Sequence, residues 1–353
     1  MHHTENTAIS KEKMSYNALS HTFEGTYESI KKALGVYGSA ARAWSAEKGS
    51  PTTAGTLWEA LEKHDIRLHL SADPEFPQLL REMPWPPFAL YTKGAPLTTT
   101  LAGIAIVGTR KATLEGKALA REFGKGLARR GVTVISGLAF GIDGEAHKGA
   151  LEARGKTIAV LPCGLDRVYP REHDRLAHEI LSTGGMLISE YPLGAPAYPS
   201  RFIERNRIVS ALSTGVIVIE APEKSGALST ARFALEQNRE VFVVPGSVKN
   251  RNYAGSHALI RDGASLIRGI EDVYEALGMP SEEEVLRLPL VFDGLDETKK
   301  AILNCLHVHG ELTPDQIARF IPLDIQDVQR EVALLLIDER LQEKPNGTYM
   351  LKI

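Results

Sequence analysis

Six short apolar runs, GIAIVG, VTVISG, KTIAVLP, GMLISE, GVIVIEA and EVFVVPG, are strung between about residue 102 and residue 246. Most end in Gly, Pro, Ser or an acidic residue and give way to polar or amphipathic stretches with helical spacing. Strands that are apolar throughout, rather than alternating, are buried on both faces. With helices between them they form a parallel sheet covered on both sides. The expected fold class is therefore α/β: a Rossmann-like, doubly wound, mostly parallel sheet. In such a sheet ligands bind outside the carboxyl ends of the strands, so the residues that follow each run carry the functional information.

The flanks have a different texture. Up to about Lys63 the apolar positions recur at helical spacing, as in YESIKKALGVYGSAARAWSA and TLWEALEKH, predicting an N-terminal helical, SAM-like segment over 1–66. A Pro-rich connector follows, FPQLLREMPWPPFALYTKG. Prolines 84, 86 and 87 forbid continuous helix there, and it is expected to wrap a surface at a boundary. The core is expected over 67–280 and an acidic linker over 281–294. The order helix, helix, helix, hairpin over 295–353, with Asn346-Gly347 as the hairpin turn, predicts a winged helix. Formal net charge is −3, so any polyanion surface has to be a local basic patch. The two cysteines, Cys163 and Cys305, stand far apart without a CxxC or Cys/His cluster. That fits a reducing cytoplasm and argues against a disulfide framework or zinc site. No run is long enough to span a bilayer, and the polar N-terminus lacks a signal-peptide core; no membrane association is expected.

At the strand ends, VGTRKATLEGKALAREF offers Gly108 for a tight turn, Thr109 as a helix cap and Arg110 as a phosphate fork or stacking plane. SGLAFGIDGEAHKGAL gives a second anion-compatible turn at Ser136, Gly137 and Gly141; Asp143 suits a helix cap and His147, lacking a nucleophile or metal partner, a structural role. RFIERNRIVSALS places Arg201, Arg205 and Arg207 within two helical turns around Asn206, with Glu204 at hand as a possible ion-pair partner. In EAPEKSGALSTARFALEQ, Ser225-Gly226 opens a helix, Thr230 lies in its first turns, and Lys224 stands at its positive end. A cation there is unfavourable unless an anion sits between. VVPGSVKNRNYAGSHALIRDGA adds Gly246, Lys249, Asn252 and Gly255. Together these residues describe a polyanion groove better than a pocket for one small molecule.

The strings AIVGTR, VISGLAFGIDGEAHKGAL, TIAVLPCGLDRVYPREH, SEYPLGAP, RFIERNRIVSALS, EAPEKSGALSTARFALE, VFVVPG and GSHALIRDGA resemble the DNA-processing protein A family (DprA, also called Smf). The resemblance covers roughly 70–350; the first 60 or so residues match poorly and lack GLG-type hairpin glycines. It implies a bacterial DNA-uptake and recombination mediator of natural transformation that binds single-stranded DNA, forms a homodimer and helps load the RecA recombinase. By motif it implies DNA contact at Arg110 and Lys224, and more weakly at Arg205 and Arg207. No cofactor or metal is expected. The helix expected to serve as the recognition helix of the winged helix, DIQDVQREVALLLIDER, is acidic on balance, which argues against groove reading.

The main alternative is a nucleotide-processing enzyme of the lysine-decarboxylase-like phosphoribohydrolase type. Those enzymes carry PGGxGTxxE where this chain has APEKSGALSTARFALE, whose nearest acid, Glu236, lies well past the first helical turn. Without a positioned carboxylate, acid–base chemistry has no obvious agent. A NAD-dependent oxidoreductase would need a glycine fingerprint that Gly108-Thr109-Arg110 does not supply.

Overall fold

The computed structural model describes residues 2–279 and 295–352, with side chains from residue 11 onward. The linker expected at 281–294 lies outside the described residues. The chain divides into two compact units, Met1–Val273 and Tyr274–Ile353.

The first unit is built on a nine-stranded sheet. Its strands are β1 (Arg67–Leu70), β2 (Ala89–Gly94), β3 (Gly103–Gly108), β4 (Val134–Ser136), β5 (Thr157–Leu161), β6 (Met186–Ser189), β7 (Ser213–Ile219), β8 (Glu240–Val243) and β9 (Ser265–Leu266), in the order β1-β2-β6-β5-β4-β3-β7-β8-β9. From β6 to β9 every pairing is parallel; β1 and β2 add an antiparallel edge. The connections run through α5 (Gln78–Arg81), α6 (Leu114–Arg129), α7 (Ile142–Glu152), α8 (Asp174–Ser182), α9 (Pro199–Ala211), α10 (Gly226–Glu236) and α11 (Ala254–Arg261), and α12 (Ile270–Ala276) follows β9. This is the mostly parallel, doubly wound α/β sheet that the apolar runs predict. Alternate residues of one strand feed opposite faces, as the two-residue side-chain period requires. Ile158 and Val160 join the core beneath α9 and α10, which holds Ile208 and Ala231. Ala159 and Leu161 join the opposite core, with Tyr16, Leu61 and Leu176.

The latter core includes the N-terminal helices: α1 (His2–Thr22), α2 (Tyr27–Tyr37), α3 (Ala40–Ala46) and α4 (Pro51–Lys63). Ser39 and Ser50 cap α3 and α4, and Pro51 occupies the first position of α4, where its missing N–H costs nothing. The Tyr91 hydroxyl donates to Asn17 Oδ1 at 3.0 Å, pinning α1 to β2.

One expectation fails here. The Pro-rich connector does not merely wrap a surface, because its last residues, ALYTKG, form β2, which is largely buried and pairs with both β1 and β6. The prolines end before Ala89, so each β2 residue keeps the N–H that the ladder needs.

The second unit contains α13 (Glu297–His309), α14 (Pro314–Phe320), α15 (Ile325–Ile337) and a hairpin of β10 (Leu341–Glu343) and β11 (Tyr349–Leu351). Thr313 and Gln316 close a capping box at the start of α14. Ile302, Leu306, Ile317, Val328, Val332 and Leu335 form the core. Among the described residues no helix is long and apolar enough to cross a membrane.

Candidate functional site

Chain order reverses across the sheet at β3, which lies between β4 and β7. The carboxyl ends of β3 and β7 therefore flank the switch point at which an open α/β sheet leaves a crevice. A cavity of about 260 Å³ opens there. Its wall takes Gly108, Thr109 and Arg110 from the end of β3, Gly137 and Ala139 from the β4–α7 turn, Asp143 from the first turn of α7, and Phe202, Ile203, Arg205 and Asn206 from α9. The β7–α10 turn and α10 supply Lys224, Ser225, Gly226, Ala227 and Thr230. Of the groove residues singled out by sequence, Ser136, Gly141, Arg201, Arg207, Gly246, Lys249, Asn252 and Gly255 are not brought into it.

Two cations of this wall are solvent-facing and form no ion pair among the described residues. The Arg110 guanidinium lies 4.6 Å over the Phe202 ring, which orients it without neutralising it. Lys224 immediately precedes Ser225, the N-cap of α10, whose hydroxyl accepts from the Ala227 N–H at 3.2 Å. Lysine and helix terminus thus place like-signed charge side by side, the condition an anion relieves. Asn206 donates to the Gly226 carbonyl at 3.2 Å and pairs with Ser229 Oγ at 3.0 Å, fixing α9 against this terminus.

Beneath lie two buried charged residues. Arg205 is 4% exposed, and its Nη1 donates to the Val160 carbonyl. The Asp143 carboxylate accepts from the Gly137 N–H at 3.1 Å. Burial lowers the Arg205 pKa to about 10, opposed by Asp143, and raises that of Asp143, opposed chiefly by Arg205. A Cβ at Gly137 would overlap the Arg205 guanidinium, so glycine is required for this approach. Asp143 is the carboxylate of the cavity wall, and these contacts hold it. It sits in the first turn of α7 rather than capping it; the cap position is Gly141. Glu236 ends α10, far along the helix from the cavity.

Several expectations are corrected by burial. Arg207 is 1% exposed, and its Nη2 bonds both carboxylate oxygens of Glu190 at 2.7 and 2.6 Å, with Trp85 4.9 Å from the guanidinium. It is an interior ion pair, not a groove cation. Ser136 is fully buried and donates to the Ile106 carbonyl at 2.6 Å, stitching β4 to β3. Gly246 packs against the Tyr253 ring, outside the cavity. Arg201 donates to the carbonyls of Pro196 and Glu24 and stacks on Tyr191 and Tyr198, tying α9 to the N-terminal helices.

Thr109 is not the cap of α6; Thr113 is, and Thr109 Oγ1 accepts from the Lys111 N–H. The anion at that helix terminus is the protein's own. The buried Glu220 carboxylate accepts from the Thr113 N–H at 2.9 Å and the Asn252 amide at 3.0 Å. The free positive terminus is therefore that of α10, not α6. His147 is fully buried. Thr157 Oγ1 donates to the Val134 carbonyl, leaving it to accept from His147 Nδ1 at 2.7 Å, and burial lowers the His147 pKa to about 3.

Phe202 is a wall residue that residue type alone does not announce; its signal is only its place beside Arg201 in the first turn of α9.

The model of a family described as DNA recombination-mediator protein A matches residues 67–278. Protein Smf of Escherichia coli K12 is 48% identical over 210 residues, which is 59% of this chain and 56% of that protein. The match thus spans little more than half of that relative's length. The DNA processing protein A structure from Streptococcus pneumoniae is similar with a TM-score of 0.58 at 30% identity, over 76% of this chain and 96% of that one. DNA processing protein A from Helicobacter pylori, whose structure is described in terms of its single-stranded DNA binding mode, gives a TM-score of 0.54 at 32% identity, over 60% of this chain and 95% of that one.

Proposed function

The chain belongs to the DNA recombination-mediator protein A family, and on that premise we propose that it binds single-stranded DNA at the switch-point cavity and acts as a recombination mediator. In this reading it protects incoming single strands during DNA uptake in the cytoplasm and delivers them to the RecA recombinase, without itself performing a catalytic step. The observation that carries the reading is the pairing of two unneutralised cations, Arg110 and Lys224, with the positive terminus of α10 around one cavity. Phosphates would sit between Lys224 and the Ser225–Ala227 turn, with Arg110 on the opposite wall. The buried Arg205 would add positive potential from below rather than direct contact. Gly108, Thr109, Gly137, Asn206 and Thr230 would shape the wall. A homodimer would set two such cavities on one strand and raise apparent affinity through avidity. The similarity to a Helicobacter pylori protein described by its single-stranded DNA binding supports the choice of ligand.

The test is fluorescence anisotropy of a labelled oligo-dT with the wild type and Lys224→Glu. Charge reversal should weaken binding at least about tenfold, because it replaces a phosphate attraction with a repulsion. Affinity indifferent to Lys224, or no binding by the wild type, would sink the reading.

A further inference from the structure

Beside the cavity, loops that leave the same sheet edge carry aromatic rings that burial does not explain. Tyr169, in the segment after β5, is 43% exposed, and Phe140, in the turn after β4, is 41% exposed. Each rests edge-on against a second ring. Tyr169 lies 5.2 Å from Phe202 at 69°, and Phe140 lies 5.1 Å from His173 at 64°. Phe202 in turn carries the Arg110 guanidinium on its face, so cation, ring and ring follow one another outward from the cavity wall. His173 Nδ1 pairs with the Leu138 carbonyl at 2.8 Å, fixing the ring that supports Phe140. Arg171, between Tyr169 and His173, is exposed and forms no ion pair among the described residues.

Large apolar side chains held open to solvent in defined orientations usually mark a binding surface. Here they are interspersed with unneutralised cations and continuous with a cavity suited to phosphate. That combination, flat rings for bases and cations for the backbone, is how single strands are held without regard to sequence.

We propose that Phe202, Tyr169 and Phe140 form a base-stacking track that leads nucleobases out of the cavity along the β4 and β5 end of the sheet edge, with Arg171 taking a phosphate beside it. The inference rests on the single-stranded DNA reading of the cavity and adds a second, charge-independent component to it. Tyr169 and Phe140 are the two platforms open enough to receive a base. Stacking of one base on such a ring is worth roughly five- to a hundredfold in affinity. A strand without bases keeps the phosphate contacts and loses this gain.

The experiment compares anisotropy titrations of oligo-dT and of an equally long strand of abasic phosphodiester units, at fixed ionic strength, with the full chain. The wild type should prefer oligo-dT by at least about fivefold. Tyr169→Ala with Phe140→Ala should abolish the preference by weakening oligo-dT binding alone, while Tyr169→Phe with Phe140→Tyr should retain it. Lys224→Glu should weaken both ligands together. Tyr169→Trp should show fluorescence quenched by oligo-dT and not by the abasic strand. The track is overturned if the double alanine variant keeps the preference, if it weakens both ligands equally, or if the tryptophan is quenched alike by both. If the wild type binds neither ligand, or Lys224→Glu changes neither affinity, it is the cavity reading that fails. A soluble, correctly melting double alanine variant that binds both strands as the wild type does would instead assign the rings to a protein partner.

Discussion

His147 shows how strongly one interior position couples folding to pH. Its folded pKa of about 3 lies below the ordinary value of 6.5, because burial disfavours the imidazolium. Between those values the unfolded chain binds a proton that the folded chain refuses. The stability that His147 contributes is therefore fully present above pH 6.5 and is lost as pH falls toward 3, by about 1.4 kcal/mol per unit. Asp143 works with the opposite sign: its raised pKa means a contribution present at low pH and lost as pH rises. His147→Gln keeps Asp143, so the difference between the two proteins isolates the histidine. Urea unfolding between about pH 7.5 and about pH 5 should give a shallower pH dependence for the variant; parallel curves would mean that His147 ionises in place at no cost. The arginines of α9 show what the sequence concealed at this scale. Arg201, Arg205 and Arg207 share a string and a residue type, so spacing offers no way to tell their environments apart. Tertiary neighbours do: Glu190, from the end of β6, captures Arg207, and carbonyls from two separate segments capture Arg201. By contrast Arg110 and Lys224 were legible because each sits at a strand end or helix terminus, where local backbone geometry already dictates what surrounds it.

At the scale of elements, α7, which follows the turn that presents Gly137, packs closely on α6, and this pairing depends on bare backbone. A Cβ at Gly149 would overlap the Arg121 carbonyl, and one at Gly124 would overlap the Ala146 carbonyl. Glycine in a helix interior costs roughly 0.5–1 kcal/mol relative to alanine, so its presence in both helices reflects their close approach. Gly149→Ala should consequently lower stability by about 1–3 kcal/mol, since overpacking outweighs the gain in helix propensity. Gly35 in α2, with nothing near its would-be Cβ, should respond with the opposite sign, gaining up to about 1 kcal/mol as alanine. Urea midpoints at constant slope decide it; equal signs would refute the close-packing argument. The buried parallel strands were readable because burial on both faces leaves an uninterrupted apolar run. Strand β2 was not. ALYTKG follows three prolines and ends in Thr, Lys and Gly, so neither apolar continuity nor clean alternation announces it. Its pairing with β1 and β6, and the hydrogen bond from Tyr91 to Asn17 of α1, make it a strand. The cap of α6 was missed for a related reason: Thr109 and Thr113 are both plausible locally, and Glu220, distant in sequence, selects the second.

For the molecule as a whole, the proposed affinity for a polyanion would have to coexist with a net charge of −3, so the distribution of unpaired cations matters more than their number. In the second unit most cations are already engaged. Arg330 pairs with Asp327 and Glu331, Lys300 with Glu297, Lys344 with Glu311 and Lys352 with Glu339. Helix α15 also begins beside Asp324 and ends beside Asp338 and Glu339. Among the described residues of this unit, Arg319 and Arg340 are the guanidinium groups without an ion-pair partner, and they are the ones to test. At the sheet edge, Arg110, Lys111, Arg171 and Lys224 are exposed and form no ion pair among the described residues. If these take the phosphates, a single strand releasing about 0.7 counterion per neutralised charge should show a log–log salt slope of about −2 to −3. Arg110→Ala and Lys224→Ala should each flatten that slope by about 0.7. Reversing both Arg319 and Arg340 to Glu should leave slope and affinity unchanged. A flatter slope in that double variant, with the sheet edge intact, would move phosphate binding to the second unit and make the α/β core its scaffold.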